Sequence, residues 1–269
     1  MQVAGLGYTS PRAQNIGHLK KYAEGNYKLV HMRSVRIAGF EERGPLKEKR
    51  RSGRDAEKMN SSLSRSRAAV WELALCNPWE YFVTLTLDKS KCDRYDLAAT
   101  YKQMGKFFNN YNARTDANIK YLLIPEPHRD NAWHFHGLLS GLPPPHLTPF
   151  TLHDHIPAEL KAMLSAGRQL YTWPAYASAF GFITMESIID LQRCAAYMTK
   201  YITKELGRSG IELNHHLYYC SKGLRRAELL YCGEMKRALD APDFENDYVR
   251  IKRFTDPAEA LSYFCDLEV

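Results

Sequence analysis

The chain lacks the features that would place it outside the cell or in a membrane. Its six cysteines, Cys76, Cys92, Cys194, Cys220, Cys232 and Cys265, include no CxxC pair, and several have apolar neighbours. That argues for reduced, mostly buried thiols rather than a disulfide framework. The opening MQVAGLGYTSPR has no apolar core of the kind a secretory signal needs. No apolar run approaches membrane-spanning length. Internal repeats, low-complexity segments and the GxxxxGK[ST] phosphate loop are also missing. The expectation is a cytoplasmic protein with no membrane partner.

What the chain does have is a core and an excess of positive charge. Of 269 residues, 45% are hydrophobic and 12% aromatic, which suits a packed globular fold. The formal net charge is +7, and a positive balance favours a polyanionic partner. The charge is dense in residues 1–65, which are poor in periodic apolar positions. A basic run there, Lys47-Glu48-Lys49-Arg50-Arg51, continues through Arg54, with Arg65 and Arg67 just beyond. These arginines read either as a solvated surface or as a basic extension that tracks a phosphate backbone.

Regular patterning begins near Ser66. Ser66–Cys76 is expected to be a helix that Asn77-Pro78 ends. Glu80–Leu87, EYFVTLTL, alternates as a strand, with Phe82, Thr84 and Thr86 on one face and Val83, Leu85 and Leu87 on the other. Asp96–Tyr111 has helical spacing. Lys120–Pro125 and Ala132–Leu139 are expected strands joined by the polar link Arg129-Asp130-Asn131. A short helix near Pro157–Leu164, a strand at Gly181–Ser187, a helix over Leu191–Leu206 and a strand at His216–Cys220 follow. The segment 231–269 is read as a helical extension, with Asp256-Pro257-Ala258-Glu259 opening its last helix.

Two constellations carry chemistry. In AWHFHGLL, His134 and His136 are two apart on a strand, so both imidazoles point one way and Phe135 the other. Parallel imidazoles make a bidentate platform for a divalent ion. A three-residue loop centred on Asp130 would put Glu126 opposite His134 with its carboxylate on the same face. A mixed His, His, carboxylate set suits Mg²⁺ or Mn²⁺ in phosphoryl transfer better than a closed zinc site. His128 is an alternative ligand, and the prolines flanking Glu126 leave the register open.

The second constellation is Tyr197-Met198-Thr199-Lys200-Tyr201-Ile202-Thr203-Lys204. It holds two overlapping YxxK units, whose four side chains fall within an arc of about 100° on a helix. A phenol is a poor nucleophile at neutral pH, and a lysine one turn away favours phenolate and neutralises phosphate charge. The plainer alternative is an amphipathic helix with tyrosines at the core edge and lysines in water.

Taken in order, Phe82–Leu87, His134-Phe135-His136 and Tyr197–Lys204 resemble the motifs of the HUH endonuclease superfamily. The likeness is to rolling-circle replication initiator (Rep) proteins of bacteriophages, plasmids and integrated elements in particular, and Tyr218–Leu224 resembles a segment that phage-type members carry. The resemblance covers roughly 66–226. It implies an α+β fold with a ferredoxin-like core, a central antiparallel sheet flanked by helices, in a domain spanning 66–230.

By position, His134, His136 and Glu126 become ligands of a divalent metal (Mg²⁺ or Mn²⁺). Tyr197 and Tyr201 become nucleophile candidates, and Lys200 and Lys204 supporting cations. The implied partners are single-stranded DNA and a replication origin hairpin in a bacterial host cell, with host helicase and polymerase supplying unwinding and synthesis. Tyr219-Cys220-Ser221-Lys222 is a further YxxK, ranked below the helix pair because it falls on an expected strand. A transposase or relaxase of the same superfamily is an alternative. So is a non-catalytic single-stranded DNA or origin-binding protein whose histidines are structural.

Overall fold

A computed structural model describes residues 12–23, 25–36, 55–128, 130–202 and 217–264. Arg50, Arg51, Arg54 and Lys204 lie outside the described residues. The chain divides into two compact units, Met1–Arg50 with Arg226–Val269, and Arg51–Arg225. In chain order the elements begin with β1 (Arg12–Ala23), β2 (Asn26–Arg36), α1 (Asp55–Cys76), β3 (Tyr81–Thr86), α2 (Leu97–Arg114), β4 (Lys120–Pro127) and β5 (Trp133–Ser140). Then come β6 (Thr148–Pro149), α3 (Ala158–Ser165), β7 (Leu170–Thr172), α4 (Pro174–Ala179), β8 (Ile183–Ser187) and α5 (Leu191–Lys200). The last are β9 (Tyr219–Cys220), β10 (Glu228–Glu234), β11 (Phe244–Glu245), β12 (Val249–Phe254) and α6 (Pro257–Leu261). The fold is α+β with antiparallel sheets and flanking helices. No helix among the described residues is long and apolar enough to cross a membrane.

The first unit corrects the expected secondary structure at both ends of the chain. Two long strands occupy much of the stretch read as a basic extension, and strands with one short helix occupy the stretch read as helical. They form an antiparallel sheet in the order β10-β1-β2-β12-β11. Its core gathers Leu19, Tyr27, Leu29, Phe254, Tyr263 and Phe264. Alternation is hidden in β1 because its buried aliphatic and aromatic residues, Ala13, Ile16, Leu19 and Tyr22, recur every third position. Asn15 has φ 54°, and the register shifts between Leu19 and Lys20 and again between Lys21 and Ala23. Each irregularity resets the two-residue period on which strand recognition rests.

The second unit carries a sheet in the order β6-β7-β8-β3-β5-β4-β9. Residues opposite one another in an antiparallel ladder share a face. Thr84 faces His136, and Thr86 faces His134, across β3 and β5. Glu126 faces His134, and Ile124 faces His136, across β4 and β5. One sheet face therefore carries Phe82, Thr84, Glu126, His134 and His136. The other carries Val83, Leu85, Tyr121, Leu123 and Phe135, and here α2 packs, with the Phe108 ring 4.9 Å from that of Tyr121. Trp173 and Tyr176, at the start of and within α4, join this aromatic layer and are fully buried. On the first face lies α5, with α1 packed against it.

Asp96 and Asp190 cap α2 and α5 by accepting from the backbone N–H groups of Ala99 and Arg193. Helix α1 starts well before the expected Ser66, a start hidden in the sequence because residues 55–65 offer only Met59 and Leu63 as large apolar positions. The described part of α5 ends at Lys200, and residues 203–206 of the expected helix lie outside the described residues.

Gly137 holds the centre of this sheet tight. A Cβ there would stand 2.5 Å from the Leu122 carbonyl oxygen and from the Leu123 Cδ2 atom. Neither β3 nor β4 can yield without disturbing the ladder on its far side. Gly137→Ala is expected to cost about 1–3 kcal/mol of stability, read as a lowered thermal midpoint. An unchanged midpoint would show that the strands relax freely.

Candidate metal centre and tyrosine helix

The β4–β5 hairpin builds the cluster. His128 N–H donates to the Ala132 carbonyl at 2.7 Å, closing a three-residue loop in which Asn131 takes φ 63°. That left-handed residue is the usual device for such a loop, and it fixes the register that sets Glu126 against His134. Pro125 and Pro127 lie beyond the short stretch of β4 that pairs with β9, at Leu122 and Leu123, so their missing N–H groups cost no ladder bond to β9.

Three ligand atoms converge. One carboxylate oxygen of Glu126 lies 2.9 Å from Nε2 of His134 and 2.9 Å from Nε2 of His136, and the two nitrogens are 3.1 Å apart. Glu126, His134 and His136 can hold a metal ion. The two imidazoles hold the Glu126 carboxyl down at about 2, so it is a carboxylate throughout the neutral range. His128 is not part of the group. Its side chain is 65% exposed and its Nδ1 lies 3.3 Å from Asp130 Oδ1.

Behind the cluster stands Thr84, whose hydroxyl is 3.2 Å from His136 Nδ1. Alternation on β3 placed Thr84 on this face, but residue type alone gave it no role. The contact fixes which ring nitrogen of His136 points at Glu126, as outer partners of ligating histidines do.

The tyrosines meet the cluster from above. The Tyr201 ring stacks on the His136 imidazole with centroids 4.1 Å apart and 12° between planes. Tyr197 lies edge-on to Tyr201 at 5.2 Å and to Phe82 at 5.6 Å. Tyr197 is 46% exposed, and the Lys200 ammonium sits 5.7 Å from its ring centroid. Burial, the hydrogen bond to Tyr197 and the nearby Glu126 charge push the Tyr201 phenol far above its ordinary value. Ala195, Met198 and Ile202 are buried as the apolar arc required.

Other residues singled out in the sequence lie elsewhere. Arg65 is exposed, whereas Arg67 donates from Nε to the Ile202 carbonyl at 2.8 Å, tying α1 to the chain just after α5. Tyr219 sits opposite Leu123, on the sheet face turned away from the cluster. It stacks on Tyr101 of α2 at 3.8 Å, and burial pushes its phenol up to about 12.

Residues 80–206 match the family of replication-associated proteins of the ORF2 type, a span of just under half the chain that runs from the start of β3 past the tyrosine helix. The match supports a role in the initiation of DNA replication. No curated protein and no solved structure matches the chain.

Proposed function

We propose that the chain is a replication initiator of the rolling-circle, HUH endonuclease type, which nicks single-stranded DNA at a defined site and rejoins it through a phosphotyrosine. The observation that carries this is the stacking of Tyr201, with Tyr197 beside it, directly over the His136 member of a Glu126, His134, His136 cluster. The strand order β8-β3-β5-β4, with α2 linking β3 to β4, is that of a ferredoxin-like core. In this reading that core is an endonuclease domain over 66–230.

The donor set fits a small octahedral ion. Donors at right angles around an ion at about 2.1 Å stand about 3.0 Å apart, while tetrahedral ligands at that bond length stand about 3.4 Å apart. The donor separations here, 2.9, 2.9 and 3.1 Å, match the former, as for Mg²⁺ or Mn²⁺. When bound, such an ion supplies Lewis-acid polarisation of the scissile phosphate.

The chain's own groups do the rest. Glu126, His134 and His136 orient the phosphate. Tyr197, exposed and beside Lys200, attacks phosphorus. The bond to the 3′-oxygen breaks as the Tyr–O–P bond forms, and the proton lost by the phenol balances the one gained by the departing 3′-hydroxyl. No water is consumed, so the phosphotyrosine retains the bond energy needed for rejoining.

Tyr201, held protonated by its surroundings, serves the second transfer. Sequence reasoning also favoured Tyr197 first, but for nearness to the helix start. It is the seventh residue of the ten in α5, so exposure and Lys200 supply the better reason. Lys204, Arg50, Arg51, Arg54 and Arg65 are proposed as phosphate contacts.

The test is metal-dependent nicking of single-stranded DNA covering the genomic sequence around the gene. Cleavage that needs Mg²⁺ or Mn²⁺ and stops with chelator supports the reading. Binding without cleavage would favour the non-catalytic alternative. Thr84→Val is expected to weaken Mn²⁺ binding by about 10–100-fold with the fold intact, as measured by calorimetric titration. Unchanged affinity would reduce Thr84 to a packing residue.

A further inference from the structure

Beside the cluster the second unit contains a cavity of about 840 Å³. Its wall is shared with the candidate metal centre through Thr84 and His136, and with the tyrosine helix through Tyr197, Lys200 and Tyr201. Beyond them it runs between β8, α3, α5 and the loop leading into α5. Leu160, Met163, Leu170 and Ile188 give it an apolar floor. One polar device is built into the lining. Arg168 donates to Glu186 through two nitrogens, Nε at 2.6 Å and Nη2 at shorter range, so guanidinium and carboxylate lie as a forked pair. Arg193 and Asp190 also contribute to the lining.

We propose that this cavity is a subsite for one unpaired nucleobase of the DNA strand, taken out of its stack while its own or the adjacent phosphate lies at the Glu126, His134, His136 cluster. The inference rests on the strand-cleavage reading above and adds to it where the base goes. An apolar floor suits the face of a base and rejects a hydrated phosphate. The Arg168–Glu186 pair sets a donor and an acceptor side by side, which is what a base edge can bond. The volume falls within the range of small-ligand sites, about 300–1,000 Å³. The shared wall at His136 means that a base in the cavity and a phosphate at the cluster belong to neighbouring atoms of one strand.

Such a site makes affinity depend on bases and not on backbone alone. The probes are single-stranded homopolymers of about 12 nucleotides and a strand of equal length made of abasic sugar-phosphate, compared by fluorescence anisotropy with the full chain in chelator. The base-bearing strand is expected to bind about tenfold more tightly than the abasic one. Two variants should bring it down to the abasic level: Ala196→Leu, which fills the cavity from the exposed side of α5, and Ile189→Ser at its rim. Ile189 is 98% exposed, so its replacement leaves folding untouched. Binding of the abasic strand, and of Mn²⁺ at the cluster, should be unchanged in both.

Equal binding of the two strands by the unaltered chain, with metal-dependent nicking intact, would overturn the base subsite and leave the cleavage reading standing. A preference for bases that survives both variants would likewise move the subsite elsewhere. Failure to bind either strand would overturn both.

Discussion

Replacing both His134 and His136 by alanine is expected to abolish nicking while leaving most DNA binding intact. Their Nε2 atoms and one oxygen of Glu126 form the whole donor triangle, so the double variant removes two of three ligands. A Lewis acid contributes several kcal/mol to stabilising charge at a phosphate. At 1.4 kcal/mol per tenfold, the rate should fall at least about a thousandfold. Affinity comes mainly from phosphate contacts spread over the protein and should change little. Glu126 remains ionised in the variant, and its charge then lies without its two imidazole partners, so a modest loss of thermal stability accompanies the loss of activity. Nicking at the original rate by a folded double variant would remove the metal centre from the mechanism.

The second large effect concerns the tyrosines. Their rings are 5.2 Å apart, so one phosphate held at the cluster is within reach of either phenol. Tyr197→Phe is expected to suppress the first cleavage. Tyr201→Phe is expected to leave that cleavage and impair the later transfer. The double replacement keeps the ring packing against Phe82 and His136 and removes only the two hydroxyls, so it should fold normally and form no covalent adduct on a denaturing gel. Adduct formation by the double variant would place the nucleophile elsewhere.

The site was far more legible than the molecule around it. His134 and His136 on one strand face, and Glu126 opposite His134, follow from the two-residue period and the loop length, because both are local properties of a hairpin. The tyrosine face of α5 follows equally from helical spacing. Thr84 escaped because its role depends on which strand lies beside β5, and pairing between distant segments leaves no local signature. The cavity escaped for the same reason: its lining comes from β3, α3, β7, β8 and α5.

The first unit was hidden more deeply. Its β10 shows the burial pattern eeieeBe, so it has no alternation to read, and in β1 the irregularities at Asn15 and after Leu19 break the period. The rival Tyr219 could be ranked from sequence only by its place on an expected strand. The register with Leu123 shows the stronger reason, which is that it faces α2 on the far side of the sheet.

The most direct test of a phosphotyrosine mechanism is mass-spectrometric mapping of the peptide left attached to DNA after cleavage in Mn²⁺. The account predicts a single linked nucleotide 5′-phosphate on Tyr197, shifting to Tyr201 when the second transfer is allowed to proceed. Linkage to Tyr219, or cleavage that leaves a free 5′-phosphate and no protein attached, would contradict it.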